Sequence, residues 1–162
     1  MALKTHTLDD GRPFTDINPK GYVPALQFDD GQVLTENIAI LSFIADKHSA
    51  LMPKGETGRY RLRESLAYSS QAFKPLFSPD ALDAEKTKAR ETNSKKLDFI
   101  ANRLKTPYLL GNEASVADAY LFVMLTWAKK NGLTFPASLE TFYKTMDERP
   151  AVRLAKEHEG LA

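Results

Sequence analysis

The chain contains no cysteine, which excludes disulfides, thiolate metal sites and a protein thiol nucleophile within it. It has no apolar run approaching the roughly 20 residues that a membrane-spanning helix needs, and its N-terminus lacks the apolar core of a secretory signal. A surplus of one charge is also missing. Lys and Arg number 22 against 21 Asp and Glu, a net charge of +1, so no overall field draws the chain toward nucleic acid or an anionic membrane. His6, His48 and His158 stand far apart, without the spacing of a metal site. No P-loop, G-x-G-x-x-G or G-x-S-x-G occurs. Arg59, Arg61 and Arg63 spread over different helical faces and read as solvent-facing or ion-pairing groups. The expectation is a cytoplasmic protein with no metal, no nucleic-acid partner and no membrane partner.

What is present fits an ordinary globular protein. The 162 residues are 43% hydrophobic and 27% charged, enough for one substantial domain or two small ones sharing an interface. Residues 1–15 are polar and turn-rich. Ile38, Leu41, Ile44 and Ala45 recur at helical spacing. Ser49 to Gly58, with Pro53 and Gly55, breaks that pattern and reads as a linker. Five helical segments are expected beyond it: Arg59 to about Phe73, Asp83 to Leu104, Ser115 to Lys130, Ala137 to Met146 and Ala151 to Glu157. The stripe Leu97, Ile100, Ala101, Leu104 gives the second its inner face. The third is apolar nearly all round, so it is expected to be the buried centre, with Tyr120, Phe122 and Trp127 in the core or on an apolar cleft. Ser115 and Asp118 match a capping box at its start.

The most informative stretch runs from Asn18 to Ile40. Asn18-Pro19 and Lys20-Gly21 punctuate a loop. Val23-Pro24 opens the short strand Ala25 to Phe28. Asp30-Gly31 suits a type I′ turn, and Val33-Leu34 returns as the partner strand. Thr35 is placed to cap the next helix, leaving the N–H groups of Glu36, Asn37 and Ile38 as an anion site.

This ordered string resembles the glutathione site of the glutathione transferase family, most closely the bacterial beta class. The segment Gly111 to Phe122 around Ser115 and Asp118, and the tail from Arg149, resemble the same family. By that resemblance the Val23-Pro24 peptide is cis, and the Val23 main chain pairs with the cysteinyl part of glutathione. Glu36 and Asn37 grip the γ-glutamyl end, and His6 lies near the glycine carboxylate. Asp118 is structural, a cap for Ser115 and its helix. The implied fold is α/β plus all-α: a truncated thioredoxin-like piece over residues 1–49, then the all-helical domain over residues 59–162.

Two departures bear on activity. Leu3 to His6 resembles the residues just after the family's second strand. The strand-helix-strand of roughly 30 residues that carries the group meeting the glutathione sulfur is therefore not matched, and no residue here is assigned as catalytic. One edge of the hairpin and one face of its helix would then lack their normal cover. Beta-class members also carry Trp and Asn where this chain has Ser65 and Ala67. Their His-Lys pair before Pro75-Leu76-Phe77 is missing as well. The expected function is conjugation of glutathione, as co-substrate, to small hydrophobic electrophiles by a homodimer, with weak or absent activity. The alternative is a non-catalytic scaffold or dimerisation module.

Overall fold

The computed structural model describes residues 7–70 and 82–161. A short 3₁₀ helix, Phe14–Asp16, precedes an antiparallel hairpin of β1 (Ala25–Gln27) and β2 (Val33–Thr35). The helices are α1 (Asn37–Lys47), α2 (Gly58–Ser70), α3 (Asp83–Arg103), α4 (Val116–Lys130), α5 (Ala137–Asp147) and α6 (Pro150–His158). A second 3₁₀ turn, Ser49–Leu51, lies inside the stretch read as linker. The expected end of the Arg59 helix at Phe73, and the Pro75-Leu76-Phe77 segment, fall outside the described residues.

The hairpin pairs Ala25 with Thr35, Leu26 with Leu34 and Gln27 with Val33. Its turn differs from the expected type I′. Only Gly31 takes a positive φ, at 85°, and the Gly31 N–H donates to Phe28 O while Phe28 N–H donates to Gln32 O. The loop is therefore three residues long, a turn closed by a left-handed glycine. Asp30 escapes the left-handed region because its carboxylate accepts both the main-chain and the side-chain N–H of Gln32. That local bond fixes the turn without a second positive φ.

Among the described residues, two apolar clusters form the core. The larger joins Leu97, Ile100 and Ala101 of α3 to Leu121, Leu125 and Ala128 of α4 and to Leu139, Phe142 and Met146 of α5. The smaller packs Ala45 of α1 onto Leu62 and Leu66 of α2 and Val116 and Ala117 of α4, with Leu41 and Ile44 at its rim. Helix α4 contributes to both clusters, as its apolar sequence implies. The expectation for Trp127 is corrected. It is 44% exposed and Val123 39%, because α4 buries its Leu121, Leu125 and Ala128 stripe and turns these two outward.

The hairpin is only half-buried, and none of its strand residues is in the buried core. Phe28 packs edge-on against Phe43 of α1, ring centroids 5.1 Å apart. Among the described residues the sheet has α1 packed against it and, with two strands, an unpaired outer edge on each.

Candidate functional site

The start of α1 is built by strand register. Because Ala25 pairs with Thr35, the next residues outward, Pro24 and Glu36, face one another across the hairpin mouth. The Val23-Pro24 peptide is cis. Val23 is 51% exposed, and among the described residues no hydrogen bond engages its main chain. Beside it lies an open groove of about 670 Å³ bounded by Leu8, Phe14, Ile17 and Ala25.

Thr35 does not cap the helix, contrary to the expectation. It is the last residue of β2, and its hydroxyl accepts a hydrogen bond from Lys20 Nζ at 3.1 Å. Glu36 takes the cap position instead, with φ 71° and no side-chain cap bond. Its carbonyl accepts the first helical bond, from Ile40 N–H. The N–H groups of Asn37 and Ile38, at the positive end of the helix dipole, therefore have no intrahelical acceptor and none elsewhere among the described residues. The positive φ places a non-glycine residue in a region that costs about 1–2 kcal/mol, and it throws the Glu36 side chain outward over the rim.

The Glu36 carboxylate is not alone there. Lys20 Nζ lies 2.8 Å from Oε1, and this hydrogen bond holds the Glu36 carboxyl below the usual glutamate range. Lys20 itself is delivered by a built turn. Asn18 is buried, its Oδ1 accepts the Lys20 N–H at 3.2 Å, and its Nδ2 donates to Tyr22 O at 2.6 Å. Gly21, at φ 72°, closes the turn onto Asn18 O. In the sequence Asn18 and Lys20 read only as loop punctuation. The Asn-x-Lys spacing hints at an Asx turn, but nothing local announces a contact 16 residues away.

Asn37 sits at the first turn of α1 with the Tyr120 phenol of α4 against it. Burial pushes that phenol above its ordinary value, and Asn37 partly offsets the rise. Tyr120 lies two residues beyond Asp118, so the α4 start supports the α1 start. Asp118 is fully buried. Its Oδ1 accepts Leu109 N–H at 2.7 Å, and its Oδ2 accepts Ser115 N–H at 2.8 Å and the Ser115 hydroxyl at 2.7 Å. The carboxylate thus caps α4 and ties down the preceding loop as well.

The structure therefore brings Val23, Pro24, Glu36 and Asn37 to the hairpin mouth and the start of α1, and sets Ser115 and Asp118 at the start of α4, which packs against α1. His6 lies outside the described residues. A separate cavity of about 330 Å³ opens between α2 and α3, lined by Arg61, Tyr68, Phe99, Ile100, Arg103 and Leu110. Tyr120, Phe122 and Trp127 do not line it.

Residues 3–47 match the glutathione S-transferase N-terminal domain, and residues 67–150 match the glutathione S-transferase C-terminal domain. The chain belongs to the glutathione S-transferase family. Among curated relatives, glutathione S-transferase GstA of Escherichia coli O157:H7 is 38% identical, over 99% of this chain and 85% of its own. Glutathione S-transferase GST-4.5 of Xanthomonas campestris pv. campestris is 34% identical, over 90% and 79%. Among solved structures, BphK, a bacterial transferase seen in a ternary complex, superposes with a TM-score of 0.91 at 37% identity, over 99% of this chain and 86% of that one. A sphingomonad glutathione S-transferase complexed with glutathione gives 0.89 at 39%, over 100% and 86%. These relatives are bacterial, and one similar solved structure is a beta-class member from Sphingomonas chungbukensis.

Proposed function

We propose that this chain binds glutathione extended along Val23 and against Glu36, and that it conjugates the tripeptide to small hydrophobic electrophiles. The observation that carries the reading is the start of α1, without a side-chain cap, beside the exposed Glu36 carboxylate and the exposed residue Val23. An extended peptide adds to free main-chain groups as a strand does. A carboxylate is favoured at a helix N-terminus, and an ammonium is favoured on Glu36. A relative at 39% identity was solved with glutathione, which supports the same ligand here.

In the reaction the glutathione thiolate attacks the electrophilic carbon. The S–C bond forms, the leaving group departs with its electron pair, and the thiol proton passes to solvent. Lowering the thiol pKa is the task the protein must perform; no residue of this chain is assigned to it. The proposal includes a homodimer in the cytoplasm, with the half-buried hairpin as the surface a second subunit would help to cover.

A second reading, a non-catalytic glutathione-transferase-like scaffold, has one observation in its favour: α2 carries Ser65 and Ala67 where the resemblance leads one to expect Trp and Asn. The two separate on turnover. Chlorodinitrobenzene with glutathione should give saturable conjugation that falls at least about tenfold in Glu36→Ala, the loss of one charge-assisted contact. Saturable glutathione binding without any turnover would support the scaffold instead.

A further inference from the structure

Lys20 has no part in the reading above beyond its bond to Glu36, yet its placement carries more. The ammonium bridges Glu36 Oε1 at 2.8 Å and Thr35 Oγ1 at 3.1 Å, held at the end of the turn that buried Asn18 builds. Lys20 and Glu36 both face water, with side chains 53% and 72% exposed. Such a pair adds little to stability and opens at little cost. Its location is specific all the same, because a cation already occupies the carboxylate that the ligand's ammonium is proposed to use.

This resident cation changes which ligands fit. A ligand that brings only an ammonium shares Glu36 with Lys20 or displaces it, and either way leaves one positive charge unmatched. A ligand that brings an ammonium and a carboxylate on the same carbon exchanges partners instead. Its ammonium takes Glu36, and its carboxylate takes Lys20 together with the open N–H groups at the start of α1. Four charges then form two pairs, where two charges had formed one. We propose that Lys20 is a specificity-determining residue of this site, selecting an intact α-amino-acid head over a ligand carrying the amino group alone. The inference rests on the glutathione reading and names the part of the ligand that Lys20 touches.

The test compares glutathione with γ-aminobutyryl-cysteinylglycine, which keeps the amino group and lacks the α-carboxylate. Calorimetric titrations are run on the wild-type chain, Lys20→Gln, Lys20→Arg and Glu36→Gln, with thermal melts as the folding control. The wild-type chain should prefer glutathione by about tenfold, the scale of one charge-assisted contact at a wet site. In Lys20→Gln the glutathione affinity should fall about tenfold while that of the analogue holds or rises, so the preference shrinks to what the α1 N–H groups supply. Lys20→Arg should restore most of it, and all variants should melt near the wild type.

A Lys20→Gln chain that keeps the wild-type preference overturns the inference, whether both affinities fall together or neither changes. If glutathione still binds in a Glu36-dependent manner, only the role of Lys20 is lost. A wild-type chain that does not bind glutathione overturns the reading of the site and the role of Lys20 with it.

Discussion

Asp118 and Asn93 are both fully buried polar residues, and they stand in opposite conditions. Asp118 has a donor on each oxygen and two on Oδ2, whereas neither polar atom of Asn93 has a partner among the described residues. Removing a satisfied acceptor leaves several donors stranded, and replacing an unsatisfied amide relieves a cost. Asp118→Ala should therefore destabilise the chain by about 3 kcal/mol, well above a lone cap. Asn93→Leu should stabilise it by about 1–2 kcal/mol, offset in part by the larger side chain. Urea midpoints would check both.

Asp118 also sets a pH dependence. Burial raises its carboxyl above the ordinary 3.8 although its donors pull the other way. The native state then holds the proton in the window just above 3.8, where the unfolded chain has released it. The contribution is fully present below that window and declines as pH rises through the raised native value. The stability difference between the wild type and Asp118→Asn should fall with rising pH across that range. A difference that grows with pH would contradict it.

At the scale of the element, the boundary of α2 shows what sequence reading sees and what it misses. Gly58 reads as a breaker that ends a linker, yet it is buried and is the first residue of α2. A Cβ added there would collide with the Pro53 carbonyl, so the glycine serves a close chain approach rather than a turn. Gly58→Ala should destabilise by about 2 kcal/mol, against the gain of about 1 kcal/mol that helix propensity alone would give. A thermal melt distinguishes the signs.

The other elements divide in the same way. Helices α3 to α6 were legible because apolar periodicity, Ser115 with Asp118, and Pro150 at the start of α6 are local signals. The hairpin was legible for the same reason, in alternation and turn residues. The turn type, the Glu36 cap and the Lys20 contact were not. Each depends on a hydrogen bond that competes with the local preference: Gln32 to Asp30, Lys20 to the Thr35 hydroxyl, and Lys20 to Glu36. The exposure of Trp127 is not legible in the sequence, because an apolar helix does not disclose which stripe its neighbours cover.

Across the whole molecule, packing is uneven. Helix α4 joins two apolar clusters, and Leu121, Leu125 and Ala128 are fully buried, while no residue of β1 or β2 reaches the buried core. A two-stranded sheet with such half-covered faces is marginal by itself. Hydrogen exchange should therefore show the β1–β2 amides opening well before those of α4, by a factor of at least about 100, which corresponds to about 2.7 kcal/mol of local stability. Equal protection in hairpin and α4 would mean that the hairpin is covered in solution. Glutathione, if it lies along Val23, should slow the hairpin exchange, since ligand binding stabilises the state that holds it.

The central claim is that the mouth of the hairpin, with the open start of α1, cradles a tripeptide. It is tested most directly by following backbone amide resonances while glutathione is added to the labelled chain. The account predicts that Val23, Asn37 and Ile38 shift most, saturably, and that Glu36→Gln abolishes those shifts. Resonances that stay fixed up to about ten millimolar ligand, an affinity weaker than about −3 kcal/mol, or shifts gathered elsewhere on the chain, would contradict it.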